Sequence, residues 1–462
     1  MTQENAAAAA APAASPTLLV VGGGIAGMSV ALEAAEAGRD VVLVEREPTL
    51  GGRTALLYRY FPKMCHPTCG LEINLRRLRG NRRVRVLTLA EVTAVSGSAG
   101  HYRVTVKQRP RHVNERCTAC GDCARAVSTR IPNRWNYGLD TLPAAYLPHP
   151  MAYPQRYVLD PSIAGTAEGE KARAACKAGA IELDMREETL TLDVASVVWA
   201  TGWKPYDAAR IQPYGYGRYR NVITSVEFER LADPAGPTGG RLLRPSDGQP
   251  ARNIAFIQCA GSRDENHLRH CSRICCMATL KQTQYVREAY AGEGAAADGG
   301  GGAKSTVYYI DIRAIDRLEG FYARVQADPS VRFVKSKVAR IALNEANGNP
   351  VLHGVDTEGY HRYANEHDLV VLAVGMQPET AGIELPADLV RDSSGFIEGS
   401  LSGGQFGAGA AASPLDVNRA VQSATAAALR GIQVLHRVAA AEPQASPAAA
   451  APAASTTEAR HG

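Results

Sequence analysis

The sequence predicts an α/β protein with two domains of the dinucleotide-binding type and a small cysteine-rich insert. Short apolar, β-branched runs alternate with helical patterns, which is typical of units with a mostly parallel sheet. A glycine-rich loop directly follows the first of these runs, and the ten cysteines fall into three groups along the chain. A chain of 462 residues is long enough for two or three domains.

The composition is that of an ordinary globular protein, with 45% hydrophobic and 21% charged residues. No run approaches the roughly 18 apolar residues of a spanning helix, and the first residues lack the pattern of a signal peptide, so we expect no membrane span and a cytoplasmic location. A formal charge of +5 is mild and argues against nucleic-acid binding. The arginine-rich residues 76–85 form either a solvated helix end and strand start or a docking patch for an acidic partner.

Both ends of the chain and one internal stretch have low complexity. Residues 1–16 and 439–462 are mostly Ala, Pro and Ser with few large apolar side chains, so we expect them to be disordered. The stretch from Ala291 to Ala303 is rich in glycine and predicts a flexible surface loop before a strand at residues 305–312.

The first strand and the loop after it have the pattern of a dinucleotide cradle. Residues 17–21 are a short β-branched strand, and Gly22, Gly24 and Gly27 follow in Gly-x-Gly-x-x-Gly spacing before a helix. The first glycine permits a tight turn, the second lets a pyrophosphate approach the backbone, and the third lets helix and strand lie close together. The next strand ends in Glu45, at the distance where a carboxylate holds a ribose hydroxyl.

A second glycine pair assigns this cradle to a particular cofactor. Gly51 and Gly52, followed by Arg53, match the second glycine signature of flavoproteins with the glutathione and thioredoxin reductase type of fold. This resemblance implies FAD as the bound dinucleotide. It also implies a two-domain flavoprotein architecture for the chain.

Two strand-then-glycine junctions resemble the points at which such flavoproteins cross between their domains. The predicted strand at residues 194–200 runs into Thr201 and Gly202. A second apolar strand, at residues 369–374, runs into Gly375.

Gly409 and a helix predicted at residues 414–429 resemble the closing flavin segment of this fold. Members of the family commonly have an acidic residue after this glycine, whereas this chain has Ala410 and Ala411, so we do not carry over a ribityl contact there. The predicted FAD-binding residues are Gly22, Gly24, Gly27, Glu45, Gly51, Gly52, Arg53, Thr201, Gly202 and Gly409.

A set of four cysteines stands where a pyridine-nucleotide loop would be expected. After the predicted strand at residues 253–258, a flavin disulfide reductase would repeat its glycine motif, but only Gly261 remains here, so the loop lacks a conventional NAD(P)H cradle. Four thiolates favour a [4Fe-4S] cluster, with zinc as the alternative because both bind tetrahedral sulfur. The cysteines are Cys259, Cys271, Cys275 and Cys276.

A second cysteine group has the opening spacing of a bacterial ferredoxin motif, but Val127 and Ser128 stand where its Cys-Pro end is expected. The fourth cysteine of such a motif ligates the other cluster in two-cluster ferredoxins, so we expect a degenerate ferredoxin-like insert that holds a single cluster. Its predicted ligands are Cys117, Cys120, Cys123 and the distant Cys176. The alternatives are a vestigial insert without metal and a zinc site.

Cys65 and Cys69 form a third pair whose role the spacing leaves open. They are ligands of an additional cluster, a redox disulfide that faces the flavin, or loose thiols. Glutathione reductase relatives carry a Cys-x4-Cys pair almost directly after the second flavin glycines, and the x3 spacing here does not match it.

Taken in order, these motifs resemble the A-subunit family of heterodisulfide reductase over residues 17–435. The most specific stretches are Tyr214 to Gly217, Asn221 to Ser225, Arg244 to Gly248 and Ile257 to Asp264. The family pattern for the cluster beside the flavin carries over to Cys259, Cys271, Cys275 and Cys276. Larger members have a C-terminal two-cluster ferredoxin domain where this chain has low-complexity sequence, and two insert clusters where this chain has one.

This short form is similar to the corresponding component of sulfur-oxidising heterodisulfide reductase-like complexes, which work with lipoate-binding proteins. The resemblance implies other subunits of such a complex as partners, a homodimer within it, and oxidation of protein-bound sulfur with the electrons collected on FAD. It implies one or two [4Fe-4S] clusters as further cofactors.

The motifs predict the following organisation of the chain. We expect a disordered tail at 1–16, FAD-binding domain parts at 17–105, 181–247 and 366–438, a ferredoxin-like insert at 106–180, a second Rossmann-like domain at 248–365 and a disordered tail at 439–462.

No residue pattern in the chain predicts substrate chemistry of its own. There is no Ser, His, Asp constellation and no helical His motif for a catalytic zinc, so we assign no catalytic residue and expect an electron-transfer role. One alternative is a metal-free flavin disulfide reductase that uses Cys275 with Cys276, or Cys65 with Cys69. Another is a structural component that binds FAD only to fold.

Overall fold

The computed structural model describes residues 17–291 and 302–441. Its strands are β1 (Thr17–Val21), β2 (Asp40–Glu45), β3 (Val84–Thr88), β4 (Ala90–Ser98), β5 (His101–Gln108), β6 (Arg130–Pro132), β7 (Thr141–Pro143), β8 (Ala145–Tyr146), β9 (Val158–Leu159), β10 (Glu188–Val194), β11 (Ser196–Trp199), β12 (Trp203–Pro205), β13 (Val222–Thr224), β14 (Asn253–Ala260), β15 (Lys304–Tyr309), β16 (Val331–Lys335), β17 (Arg340–Leu343), β18 (Pro350–Asp356), β19 (His361–Glu366), β20 (Leu369–Val374), β21 (Met376–Pro378) and β22 (Gln405–Gly407). Its α-helices are α1 (Ile25–Glu36), α2 (Thr68–Gly80), α3 (Asp122–Ala126), α4 (Pro161–Ala164), α5 (Ala167–Ala175), α6 (Ser225–Ala232), α7 (Cys275–Ala289), α8 (Glu319–Gln326) and α9 (Val417–Ala441).

The first sheet has five parallel strands in the order β22-β11-β1-β2-β3. Successive side chains point to opposite faces, and both faces are covered. Leu18 and Val20 pack with helices α1 and α9 on one face. Leu19 and Val197 pack against the antiparallel sheet β10-β5-β4 on the other. Burial on both faces explains why these strands are continuous apolar runs in the sequence.

The second sheet repeats this three-layer plan with five parallel strands in the order β13-β20-β14-β15-β16. Phe256 and Val371 pack with helices α6 and α7 on one face. Ile257 and Leu372 on the other face pack against the antiparallel sheet β17-β18-β19. Strand β14 lies at the centre of the sheet, so the residues that follow it sit at the middle of its carboxyl edge.

The two connections between these sheets pair with each other. Strand β12 follows Thr201 and Gly202 on the way to the second sheet, and β21 follows Gly375 on the way back. They form an antiparallel two-stranded ribbon in which Trp203 is opposite Pro378. Both predicted crossings therefore lie side by side.

A small insert lies between β5 and β10 and contains the ribbons β6-β7 and β8-β9 with helices α3 to α5. It has an apolar core of its own, to which Leu159, Ile163 and Ala172 contribute. The half-buried Cys117 and Cys176 pack against this core.

The α/β fold of the glutathione and thioredoxin reductase type is confirmed by the two parallel sheets. The predicted helix at 414–429 instead begins at Val417 and continues to Ala441, into the segment that we expected to be disordered from residue 439. Residues 1–16, 442–462 and most of the predicted loop at 291–303 lie outside the described residues. Within the described residues, no helix combines the length and the apolar character needed to cross a bilayer.

Candidate functional site

The first glycine loop leaves space for a ligand at one position and none at the other two. A Cβ atom on Gly22, whose φ is +106°, would lie 2.3 Å from the Ala200 carbonyl oxygen. A Cβ on Gly27 would lie 1.8 Å from the Gly22 carbonyl oxygen. A Cβ on Gly24 would meet nothing closer than the Cα of Gly52, at 3.9 Å. The loop is therefore tight at its ends and open at Gly24, as a pyrophosphate requires.

The second glycine pair closes on the first. The Gly51 amide donates to the Gly23 carbonyl at 2.9 Å, and a Cβ on Gly52 would lie 2.9 Å from the Gly24 Cα. Both Gly51 and Gly52 have positive φ, at +116° and +55°. Glycines thus line the space beside the first turn of α1, where backbone amides and the helix dipole favour a phosphate.

Glu45 ends β2 beside this loop. Its Oε2 atom accepts a hydrogen bond from the Gly23 amide at 2.6 Å, and Oε1 accepts one from the Glu47 amide at 2.7 Å. Burial raises the pKa of the Glu45 carboxyl to about 7 despite these two bonds. The side chain is at the predicted ribose position and is held by the backbone of the cradle.

Three other predicted FAD residues lie at the edges of the cradle. The buried hydroxyl of Thr201 has no hydrogen-bond partner among the described residues, and Gly202 turns the chain with a φ of +77°. Gly409 has a φ of +60° and lies so close to α1 that a Cβ would be 2.5 Å from the Ala26 Cβ. The partnerless hydroxyl and the glycine-lined space fit a dinucleotide such as FAD.

Arg53, also predicted to bind FAD, points toward the β12-β21 ribbon that connects the two sheets. Its Nε donates to the Trp203 carbonyl, Nη1 donates to the Tyr137 hydroxyl at 3.3 Å, and Nη2 lies 3.7 Å from Glu379. The guanidinium therefore joins the flavin loop to the ribbon and to the insert. Its predicted contact with FAD stays a prediction.

The four cysteines of the second domain lie in one long loop and at its two ends. Cys259 lies near the end of β14 with a φ of +55°, and Cys275 and Cys276 are the first two residues of α7. Cys271 lies in the loop between them, which takes the place of a tight strand-to-helix turn. The structure brings the four side chains together, and the charges of the other three thiols each raise the pKa of Cys275.

Burial raises the pKa of Cys275 well above its ordinary value and raises that of Cys276 to about 11. Backbone amides donate to two of the sulfurs at 3.4 Å, from Arg273 to Cys271 and from Arg313 to Cys276. Thiols of this kind are protonated at neutral pH, and a metal centre bound here must displace their protons. The amides are already placed to bond the thiolates that result.

The four cysteines of the insert line one cavity, together with Val113, Tyr157 and Ile181. Burial raises the pKa of Cys123 to about 11, and the three neighbouring thiols add to the effect. Amides of Ala119 and Ala180 donate to sulfurs of this set, at 3.4 and 3.3 Å. The structure thus brings Cys117, Cys120, Cys123 and Cys176 together around a common space.

The donor atoms of the two cysteine sets can be compared with those of known metal centres. Within the described residues, no group of three or more His, Cys, Asp or Glu side chains is arranged to hold one ion. The donor set, four thiols with amide N–H groups directed at sulfur, has the chemistry of an iron-sulfur site.

Cys65 and Cys69 are exposed and lie on the surface loop before α2 and at the start of that helix. The Tyr60 amide donates to the Cys65 carbonyl at 2.8 Å, which closes this loop into a turn. Their role stays open, as the spacing left it.

A buried ion pair that no sequence motif indicates lies beside the helix that begins with Cys275. Lys281 on α7 lies 2.7 Å from Glu229 on α6, and the two side chains are 3% and 4% exposed. Lys281 also donates to the Arg59 carbonyl at 2.8 Å, and Glu229 accepts from the Tyr58 amide at 3.1 Å. The pair ties the loop after the flavin glycines to the helix that begins with Cys275. Its two members are 52 residues apart and carry no motif, so nothing in the sequence pointed to it.

Comparison with known proteins agrees with this geometry. A family model described as FAD dependent oxidoreductase matches residues 17–108, which contain both glycine loops. This part of the chain is therefore similar to the FAD-binding part of FAD-dependent oxidoreductases. Among solved structures, thioredoxin reductase from T. acidophilum aligns with a TM-score of 0.49 and 14% identity, over 90% of this chain and 97% of that one.

Curated relatives of this chain are A subunits of heterodisulfide reductases. The A subunit of ferredoxin:CoB-CoM heterodisulfide reductase from Methanosarcina mazei is 37% identical over 431 residues, which are 90% of this chain and 52% of that protein. An iron-sulfur A subunit of CoB–CoM heterodisulfide reductase from Methanopyrus kandleri is 35% identical over 429 residues, or 90% and 63%. The chain is homologous to the A subunits of heterodisulfide reductases over nine tenths of its length, which confirms the predicted resemblance. It spans about half to three fifths of the length of these relatives.

Proposed function

We propose that this chain is the FAD and iron-sulfur electron-transfer subunit of a heterodisulfide reductase-like complex. The observation that supports the proposal most directly is the position of Cys259, Cys271, Cys275 and Cys276. They converge at the carboxyl edge of the second sheet, where a flavin disulfide reductase would bind its pyridine nucleotide. An iron-sulfur cluster, which carries one electron, would there take the place of a pyridine nucleotide, which carries two.

Bound FAD would supply the exchange between paired and single electrons, since a flavin takes two and an iron-sulfur cluster carries one. The chain's own residues bind and orient. The glycine loops admit the pyrophosphate, Glu45 lies at the ribose position, and Thr201 offers its hydroxyl. The set at Cys259 would hold the cluster nearest the flavin, and the insert set would hold a cluster toward a partner subunit. Substrate chemistry takes place on a partner, so we assign no catalytic residue.

We further propose that the complex oxidises protein-bound sulfur in the cytoplasm. The support is the resemblance of the motifs to the short, sulfur-oxidising form, and the ten free cysteines, which suit a reducing compartment. The partners are then other subunits of such a complex and a lipoate-binding protein, with a second copy of this chain in a homodimer. The relatives are named for CoB-CoM heterodisulfide, which is the rival sulfur substrate.

Cofactor content is the first test. Anaerobic purification followed by counts of FAD, iron and acid-labile sulfide should give one FAD and about eight irons per chain, because each cubane holds four. FAD without iron would favour the metal-free disulfide reductase. FAD that is neither reduced nor reoxidised by the assembled complex would favour a structural role.

Two cysteine variants separate the clusters, and each serves as the control for the other. Cys271→Ser should remove about four irons and leave the insert cluster, whereas Cys120→Ser should remove about four and leave the cluster near the flavin. The measurements are iron content and the electron paramagnetic resonance of the reduced protein. An unchanged iron count in the Cys120→Ser protein would indicate that the insert holds no cluster.

A further inference from the structure

Three segments of the chain meet at the four cysteines of the second domain, and one of the three carries no cysteine. The first two, residues 259–263 and 270–276, contain the four thiols. The third, residues 311–313, follows β15. Strand β15 is the parallel neighbour of β14, so the residues after both strands lie side by side at the carboxyl edge of the sheet. The proposed function gives this third segment no role.

The third segment contacts a cysteine through its backbone. The Arg313 amide donates to the Cys276 sulfur at 3.4 Å, and the Asp311 carbonyl oxygen lies 3.7 Å from the same sulfur. A thiolate can accept the amide bond but has no proton to give to the carbonyl, so the amide is the contact that suits a cluster ligand. Hydrogen bonds to the sulfurs are among the factors that set the reduction potential of an iron-sulfur cluster.

An ion pair attaches the third segment to the first. Arg263 Nη1 donates to Asp311 Oδ1 at 2.6 Å, and Arg313 Nε lies 3.5 Å from the same oxygen. The Arg263 amide also donates to the His270 carbonyl at 3.2 Å, directly before Cys271. Each segment is thus bonded to the other two, and the pair of Arg263 with Asp311 closes this ring of contacts around the thiols.

The backbone of the two cysteine-bearing segments needs support of this kind. Cys259, Arg263 and Arg273 have positive φ angles of +55°, +57° and +62°. Residues other than glycine rarely adopt this conformation, and they keep it only where neighbouring contacts hold them. The contact between the Arg263 side chain and Asp311 is one that acts on such a residue.

We propose that Asp311 is a positioning residue of the cluster site, because its ion pair with Arg263 holds the Arg313 amide against the Cys276 sulfur. The inference rests on the cluster proposed above. A reduced cluster carries one more negative charge than an oxidised one, so an amide bond to its sulfur favours the reduced state. Asp311 would therefore raise the reduction potential without touching the cluster.

The test measures the reduction potential of this cluster in full-length variants. Asp311→Asn and Arg263→Gln each break the ion pair from one side, and Asp311→Glu restores the charge. Asp264→Asn is the control, because it removes a carboxylate from the same loop, where Asp264 lies 2.9 Å from Lys337. Redox titration followed by electron paramagnetic resonance gives the potential, and the signal of this set is the one that Cys271→Ser removes.

We expect Asp311→Asn and Arg263→Gln both to lower the potential, by about 59 mV if loss of the amide bond changes the one-electron equilibrium tenfold. Asp311→Glu should recover most of the shift, and Asp264→Asn should match the wild type. The two pair variants remove charges of opposite sign, so shifts in opposite directions would mean a direct charge effect and would overturn the positioning role. Wild-type potentials in both would overturn it as well. A wild-type chain without a cluster at this set would instead refute the proposed function.

Discussion

The buried carboxyl of Glu45 in the glycine cradle makes the stability of the folded protein depend on pH. Its carboxyl is buried, with 8% of the residue exposed, and accepts two backbone hydrogen bonds. Burial still outweighs these bonds and raises its pKa from 4.5 to about 7. The folded apo-protein therefore holds this proton more tightly than the unfolded chain does.

The pH dependence of stability follows from that shift. Between pH 4.5 and 7 the unfolded chain loses the proton first, so this group's contribution falls as the pH rises, by about 3 kcal/mol in all. Glu45→Gln should match the wild type near pH 5 and be more stable at pH 8. Urea unfolding of the apo-protein at both values measures this, with the exposed Glu91→Gln as the control. Equal stability of Glu45→Gln and the wild type at pH 8 would contradict the assignment.

Individual residues also mark the limit of what the sequence predicts. The glycines of the cradle could be predicted because their roles depend on local spacing and backbone geometry. The convergence of the cysteines could be predicted because ligands come in sets of four. Lys281 and Glu229 meet only after distant segments fold together, so no local pattern indicates their contact.

Among the elements, α7 joins the proposed cluster site to the flavin loop, because it begins with Cys275 and Cys276 and carries Lys281 two turns later. The buried bond from Lys281 to Glu229 connects it to α6, and the bond to the Arg59 carbonyl connects it to the flavin loop. Two further donors to Glu229, Tyr285 and Gln282, lie on α7 as well. The position of the cysteine helix therefore depends on this network.

Removing one member of the Lys281–Glu229 pair should destabilise the fold strongly. Lys281→Met leaves the Glu229 carboxylate buried without its cation, and we expect a loss of about 3–5 kcal/mol of folding free energy. The double variant Lys281→Met with Glu229→Gln should recover part of the loss, because no isolated charge remains. Lys107→Met breaks an exposed pair with Glu187 and should cost less than about 1 kcal/mol. Urea unfolding compares the three, and similar losses for Lys281→Met and Lys107→Met would refute the role of burial.

Elements differ in how well the sequence predicts them. The strand Leu369–Val374 agrees with its prediction, because a run of six apolar residues, half of them β-branched, suits a strand buried on both faces. The predicted end of α9 was wrong, because the Ala-rich sequence of its last turns has the composition of a low-complexity tail. Alanine has the highest helix propensity, and the packing of Ala424, Ala428 and Leu435 in the core of the first sheet supports a long helix.

At the scale of the molecule, Arg230 joins three parts of the chain. Its side chain is 8% exposed and bonds Asn136 of the insert, the Leu56 carbonyl of the flavin loop and Asp233 at the end of α6. The insert has its own small core, and its ribbon tip makes a charged contact with the second domain through this guanidinium.

Arg230→Ala should therefore loosen the insert more than it unfolds the sheets. We expect faster hydrogen exchange and proteolysis in the β6-β7 ribbon, with a smaller change in the strands of the two sheets. Arg220→Ala, at an exposed arginine nearby in sequence, is the matched control. Exchange mapped by mass spectrometry measures the difference, and protection of the ribbon equal to that in the control would count against this role.

The ribbon of β12 and β21 has a mechanical consequence for the proposed electron transfer. Two separate single-stranded connections would permit a swivel, but here both connections are hydrogen-bonded to each other, and Lys281 and Arg230 attach the second sheet to the flavin loop at further points. A turn of one half of the molecule against the other would have to break buried charged contacts. Tunnelling between redox centres depends steeply on their separation, so a framework of this stiffness would keep the transfer rate constant from one turnover to the next.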